Sequence, residues 1–352
     1  MGRGRRMELA IYSRFFSTIN GGQGRVSLDL ADYFSKQQDV HVIKNQCHST
    51  GNLGYLYHSL LGKHIENADV NLAITSMESM KLNPSKSVAI VHDLIPLLDG
   101  WKFETHYMKG NMGPYNMRYW INRLGALWFF GATLARTKEF QKVVCISEET
   151  KEDYLQVTGC DPEKVEVIEN WVQDKYTYQP PNNNEKTIIG TLSYLDPRKR
   201  IDILVNEFKK IKDDSFELWI AGGGCERANL EKLAVNDNRI KFLGRVPEEE
   251  MMSFYKNIDI FAFPTLCEGF GIPIVEAAAC GRPVITLQDS KIPKVVQDLT
   301  NSVPKDKLSL ALQNYSKQDI IHQGKIVAKK AERFRMADKM EKYEKIIREV
   351  GE

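Results

Sequence analysis

Short runs of β-branched and aromatic residues alternate with helix-periodic stretches along the chain, and the series is played out twice. That alternation demands parallel strands joined by crossover helices, because parallel neighbours cannot be linked by tight turns. In the first half the runs are LAIYS (9–13), VHVI (40–43), VNLAI (70–74), SVAIV (87–91) and KVVCI (142–146). In the second they are TIIGTL, FELWIAG, IKFLG, IDIFAF and PVITL. Val26, Leu30, Tyr33 and Phe34 form an apolar stripe at helical spacing, and Met336, Met340, Tyr343 and Ile347 form another on a charged C-terminal helix. The strongest break is Gln179-Pro180-Pro181-Asn182-Asn183-Asn184, a run of turn residues that divides the 352 residues almost equally. The expected fold class is α/β, with two Rossmann-like halves.

Charge and cysteine usage narrow the function. With 48 Lys+Arg against 46 Asp+Glu the net charge is +2, too small a field for a generic nucleic-acid binder. The six cysteines show no C-x-x-C spacing and read as buried small apolar residues of a reducing compartment. None of the seven histidines falls at zinc-ligand spacing, so no metal is expected. The longest uncharged apolar run, Leu124 to Ala135, falls short of the ~20 residues a bilayer requires. No signal peptide is recognisable, Met7 is expected to be the natural start, and the protein is expected in the cytoplasm. Arg118 to Arg136 mixes aromatic residues with Arg, which leaves peripheral membrane contact open, although a buried crossover helix is the simpler reading.

Four stretches carry chemistry. Phe263-Pro264-Thr265-Leu266-Cys267-Glu268-Gly269-Phe270-Gly271-Ile272-Pro273-Ile274-Val275-Glu276-Ala277 leads from a strand into an Ala-rich helix. Its glycines let the backbone approach a ligand, and the N–H groups at the helix start suit a phosphate or hydroxyl-rich group. Glu268 is expected in the loop and Glu276 in the first helical turn, facing different parts of one ligand. A plain Gly-rich turn would explain the glycines equally well. Gly190-Thr191-Leu192-Ser193-Tyr194-Leu195-Asp196-Pro197-Arg198-Lys199-Arg200 places consecutive cations at the opening of a helix, as a pyrophosphate would need. Taken alone, a solvated basic face is the commoner meaning of such a run. Asn20-Gly21-Gly22-Gln23-Gly24-Arg25 resembles a nucleotide-binding turn, but the G-x-G-x-x-G pattern fails at Ser27. His92, in Val91-His92-Asp93-Leu94-Ile95-Pro96, sits where a strand ends and open sheets bind ligands, although a lone histidine is more often structural.

In order, GGQGR, VHDLIP, VVCIS, VIEN, GTLSYLDPRKR and PTLCEGFGIPIVEAAACGRPVIT resemble the family-four glycosyltransferases of GT-B fold, over about residues 8 to 300. The resemblance implies two Rossmann-like domains facing across a cleft. Residues 7–175 would bind the acceptor, with the helix 335–352 returning to them, and 183–334 would bind the sugar nucleotide. It implies a retaining, metal-independent transfer of a hexose from a UDP- or GDP-sugar to a glycan or lipid-linked glycan, with no cofactor and no nucleic acid. Glu268 would meet the donor sugar, Glu276 the ribose, and Arg198 and Lys199 the pyrophosphate. The backbone of Phe270, Gly271 and Ile272 would cradle sugar and phosphate, Gly22 and Gly24 would let the first loop close on the diphosphate, and His92 would lie near the reacting carbon. The departures from the family pattern include Thr191 in place of a frequent Arg, Arg200 in place of a common Gly or Asn, Lys294 where an acidic residue is frequent, and Cys267 at a permissive position. The competing readings are a sugar-nucleotide epimerase of the same fold, a nicotinamide-dependent dehydrogenase disfavoured by the broken glycine pattern, and a non-catalytic sensor. Oligomeric state is left open.

Overall fold

The computed structural model describes residues 5–16, 22–46, 68–94, 117–181 and 185–352. Two compact units divide the chain, one comprising residues 1–170 and 337–352, the other 171–336.

Among the described residues the first unit carries six strands: β1 (Met7–Ser13), β2 (Val40–Gln46), β3 (Val70–Ala73), β4 (Ser87–Val91), β5 (Lys142–Cys145) and β6 (Val165–Val167). They lie in the order β2-β1-β3-β4-β5-β6 in a parallel sheet. Strands β3 and β4 are buried along their whole length, as expected where helices cover both faces. Helices α1 (Gly22–Ser35), α2 (Met117–Thr137) and α3 (Glu148–Thr158) belong to this unit. On α1 the stripe turns inward at Val26, Leu30 and Phe34, while Tyr33 stays at the rim and donates from its hydroxyl to Glu344 at 2.7 Å. On α2 Phe129 and Leu134 are buried, but Trp128 is 73% exposed. The helix is therefore not the fully buried crossover that its apolar run suggests. Among the described residues no helix is long and apolar enough to cross a membrane.

The C-terminal helix (Met336–Gly351) belongs to the first unit from Ala337 onward. Met340, Tyr343, Ile346, Ile347 and Val350 are buried along its inner face. Around that stripe Lys339 pairs with Glu169 at 2.8 Å, Arg348 with Asp39 at 2.7 Å, and Lys142 with Glu349 at 3.2 Å. The Arg348–Asp39 pair is exposed and contributes little, and the Lys339–Glu169 pair, largely buried, offsets its own desolvation, so apolar burial anchors the helix.

The second unit repeats the architecture with β7 (Thr187–Leu192), β8 (Phe216–Ala221), β9 (Ile240–Gly244), β10 (Ile260–Ala262), β11 (Val284–Leu287) and β12 (Thr300–Val303). Its order is β12-β11-β10-β7-β8-β9, again parallel. The chain runs outward from β7 to β9 on one side, then returns to β10 and runs outward on the other. The direction reverses between β7 and β10, so the loops leaving them part and open a crevice at their C-terminal ends. Helices α4 (Ile201–Phe208), α5 (Met251–Asn257) and α6 (Ile272–Ala279) flank this sheet.

The passage between the units comes at Asn170 and Trp171, ahead of the break expected at Pro180–Asn184, of which Asn182–Asn184 lie outside the described residues. Residues 171–179 already belong to the second unit for packing reasons. Trp171, Val172 and Tyr176 are buried, Val172 N–H donates to Phe334 O at 2.8 Å, and the buried Arg282 donates to Gln179 O. The cysteine expectation also needs amending. Cys145, Cys160, Cys267 and Cys280 are buried free thiols, Cys225 is exposed, and Cys47 lies outside the described residues.

Ile347→Ala is expected to cost about 2–5 kcal/mol, since a fully buried side chain is lost. The check is a lower urea midpoint for the first unit, with Arg348→Ala shifting it far less.

Candidate functional site

The loop after β7 is shaped by a cap. Asp196 Oδ1 accepts from the Lys199 N–H at 3.2 Å, Pro197 opens a single 3-10 turn over Pro197–Lys199, and α4 begins only at Ile201. The cations thus precede the helix rather than forming its first turn. The loop after β10 ends at Gly271, whose φ of 95° favours glycine, and a Cβ there would lie 3.2 Å from Ile274. Helix α6 starts at Ile272, with Pro273 second.

These two loops meet through charge. Lys199 Nζ donates to Glu268 Oε1 at 2.5 Å, and Arg198 Nη1 lies 3.4 Å from Glu268 Oε2. Arg198 also donates to the Cys267 carbonyl at 2.7 Å, and the Thr265 hydroxyl donates to Glu268 Oε1 at 2.6 Å. Lys199 Nζ stands 5.1 Å from the centre of the Phe263 ring. The Lys199 and Glu268 side chains are only 9% and 10% exposed, so neither charge could persist there without the other. Burial alone would raise the Glu268 carboxyl, but Lys199 and Arg198, with the hydrogen bonds from Lys199 and Thr265, bring it below its ordinary value.

Arg200 does not extend this cationic patch. Its Nε donates to Pro264 O at 2.7 Å and its Nη2 to Thr265 O at 2.8 Å. Both terminal nitrogens also bind the Asp289 carboxylate, at 2.7 and 2.9 Å. Its backbone has φ 51° and ψ 36°, a left-handed conformation that costs a residue other than glycine of order 1–3 kcal/mol. Gly or Asn would adopt it more readily.

Glu276 differs from expectation as well. It is the fifth residue of α6, past the first turn, and it is 1% exposed. Its Oε2 accepts from the Tyr255 hydroxyl of α5 at 2.8 Å, and burial, then the nearby Glu276 and Tyr176, push that hydroxyl far above its ordinary range. Phe270 faces the core, its ring edge-on to Phe334 at 5.7 Å, so only its backbone can serve a ligand. Thr265, Tyr255, Asp289 and Gly222 were not anticipated. A Cβ on Gly222 would lie 1.8 Å from Ser193 O, so the turn after β8 rests against the loop after β7. The glycine run Gly222-Gly223-Gly224 was the one available signal.

The remaining expected residues lie in the first unit. Gly22 opens α1 and is exposed, while Gly24 is buried in the same first turn. Ser27 fixes this turn through a 2.6 Å contact with Ser13 at the end of β1. Asn20, Gly21, Ile95 and Pro96 lie outside the described residues. His92 follows β4 and is 8% exposed; its Nε2 lies 2.9 Å from Ile74 O, just past β3. A carbonyl there requires Nε2 to carry the proton, leaving Nδ1 as the ring's acceptor. Burial holds the imidazole down to about 4 against the opposing Ile74 bond, so it is neutral at pH 7.

Arg198, Lys199 and Glu268 thus come together at the reversal point of the second sheet, followed by the backbone of Phe270, Gly271 and Ile272 at the start of α6. Residues 186–314 match the family model described as Glycosyl transferases group 1. The GPI3 subunit of phosphatidylinositol N-acetylglucosaminyltransferase from Saccharomyces cerevisiae is 26% identical over 191 residues. That alignment takes in 51% of this chain, which spans 42% of the relative's length. The two-unit architecture is the GT-B fold. Sucrose-phosphate synthase from Thermosynechococcus elongatus superposes with a TM-score of 0.73 at 17% identity, over 98% of this chain and 99% of its own. Anabaena HepE, solved in complex with UDP and glucose, superposes with a TM-score of 0.68 at 16% identity, over 98% and 100%.

The arrangement offers fixed cations and a helix N-terminus for an anion, beside a carboxylate that can accept from hydroxyls. Among the described residues no group of His, Cys, Asp or Glu is placed to hold a metal ion. Because the Glu268 carboxyl lies below its ordinary value of 4.5 in the fold, its contribution to stability is complete above that pH and is lost as the pH falls through the lowered value. Glu268→Gln is therefore expected to cost about 3 kcal/mol at pH 7 by leaving Lys199 buried without its counter-charge. The deficit should shrink toward pH 3, as chemical denaturation at both pH values would show.

Proposed function

We propose that the protein is a retaining, metal-independent glycosyltransferase, moving a hexose from a nucleoside-diphosphate sugar to a glycan or lipid-linked acceptor in the cytoplasm. The observation that carries this reading is the buried Lys199–Glu268 pair, flanked by Arg198, at the reversal point of a sheet whose residues match the Glycosyl transferases group 1 model. The names of similar proteins support the substrate class: one is a subunit of an N-acetylglucosaminyltransferase, another was solved with UDP and glucose.

When the donor bond breaks, negative charge moves onto the β-phosphate. Arg198, Lys199 and the N-terminus of α6 meet that charge with groups already in place, so no divalent cation is required. Glu268, held by Lys199 and Thr265, accepts hydrogen bonds from the donor sugar's hydroxyls, and the backbone at Phe270, Gly271 and Ile272 lines the same ligand. Glu276, its rotamer fixed by Tyr255, is assigned the ribose end. In the first unit Gly22 and Gly24 offer backbone N–H groups to the diphosphate, and this unit is assigned the acceptor. The neutral ring of His92 orients the sugar by hydrogen bonding, not by charge and not as a covalent nucleophile. Departure and attack then share one face of the sugar, which retains its configuration.

A thermal-shift panel of UDP, GDP, ADP, CMP and their sugars tests the donor class. A ligand at 100 times its Kd is expected to add ~2.7 kcal/mol of stability, and no response across the panel would sink the proposal. Lys199→Ala is expected to lower kcat/KM by about 2–4 kcal/mol of transition-state stabilisation. Product analysis on donor alone separates transfer from epimerisation.

A further inference from the structure

We infer that Arg200 is a positioning residue for the donor sugar: it holds Thr265 so that Thr265 can hold Glu268. The inference rests on the proposed donor site and extends it to a residue that touches no substrate.

The geometry forms a relay. The Thr265 carbonyl accepts from Arg200 Nη2 at 2.8 Å and from the Ser290 hydroxyl at 2.5 Å, which fixes its peptide plane. The Thr265 hydroxyl donates to Glu268 Oε1 at 2.6 Å, on the oxygen that Lys199 also binds. One residue thus receives the guanidinium on its backbone and passes the constraint to the carboxylate through its side chain. Asp289 completes the clasp. Its carboxylate, 66% exposed, grips the guanidinium in a two-point fork that keeps Arg200 aimed at the Pro264 and Thr265 carbonyls. The loop between is tied on both sides: Leu266 N–H donates to Arg198 O, Lys291 N–H to Leu266 O, and Glu268 N–H to Lys291 O. Removing Arg200 releases the side of that loop from which Glu268 is aimed, while Arg198 and Lys199 keep their own places.

The left-handed backbone makes the test clean. Asn and Gly both accept φ near 51°, so Arg200→Asn and Arg200→Gly remove the guanidinium without adding backbone strain. The probes are UDP with UDP-glucose and GDP with GDP-mannose, whichever pair the wild-type protein binds. Both variants are expected to bind the bare nucleotide within about twofold of wild type while losing about tenfold in kcat and in preference for the sugar-bearing form. The double variant Arg200→Asn, Thr265→Val is expected to lose no more than the worse single variant, because both act along one path. Equal losses for nucleotide and nucleotide sugar, or additive losses in the double variant, would overturn the inference.

If the wild-type protein binds no nucleotide or nucleotide sugar of the full panel, the donor-site reading falls and the relay is judged on stability alone. Arg200→Asn is then expected to narrow the difference in stability between pH 7 and pH 3, and part of that narrowing should vanish in a Glu268→Gln background. An effect identical in both backgrounds would overturn it.

Discussion

An ammonium and a carboxylate withdrawn together from water, Lys199 and Glu268, set the terms for the second unit. Each would cost several kcal/mol if buried alone, and their attraction repays that cost only where the geometry is tight and the remaining valences are satisfied. The neighbouring features serve that requirement. Asp196 caps the turn that delivers Lys199, Phe263 lies beneath the ammonium, and Thr265 fills a further lone pair of the carboxylate. Arg198 braces Glu268 from its other oxygen. What results is charge whose direction is decided before any ligand arrives, which is the property that makes electrostatic catalysis effective.

Sheet order explains why this pair arises where it does. In the second unit the strands run outward from a central β7–β10 contact, so the loops leaving those two strands face one another across a gap. The first unit reverses between β1 and β3, and it is there that Gly22 and Gly24 begin α1. His92 lies one strand further along, tied to the end of β3 through Ile74. Each unit places its chemistry-bearing residues at the C-terminal edge of its sheet, the general property of open parallel sheets.

The strands of both sheets were largely legible because β-branched runs in a buried parallel sheet are continuous and apolar. The two that escaped notice, Val165–Val167 and Thr300–Val303, lie at sheet edges, where one is only three residues long and the other reads Thr-Asn-Ser-Val. Edge strands bury less and carry a weaker signal. The site loops were legible from their glycines and charges, but the division of labour among the cations was not. Arg198, Lys199 and Arg200 look alike in the chain, and what separates them is partners 64 to 90 residues away together with one left-handed backbone angle. Tyr255 gave no hint of its bond to Glu276, since nothing local distinguishes it from the core aromatics around it. Glu276 falls just past the first turn rather than within it, because the helix already begins at Ile272, ahead of Pro273.

The division of the chain has a consequence for biogenesis. The first unit is discontinuous, its final helix contributed by residues 337–352, with the whole second unit interposed. A nascent chain emerging from the ribosome can complete the second unit while the first still lacks the helix carrying Tyr343 and Ile347. During that interval the surface this helix will cover is apolar and open to solvent, the state that chaperones recognise. The helix that seals the first unit is therefore made only after the second unit, and a chain interrupted before it leaves the earlier core exposed.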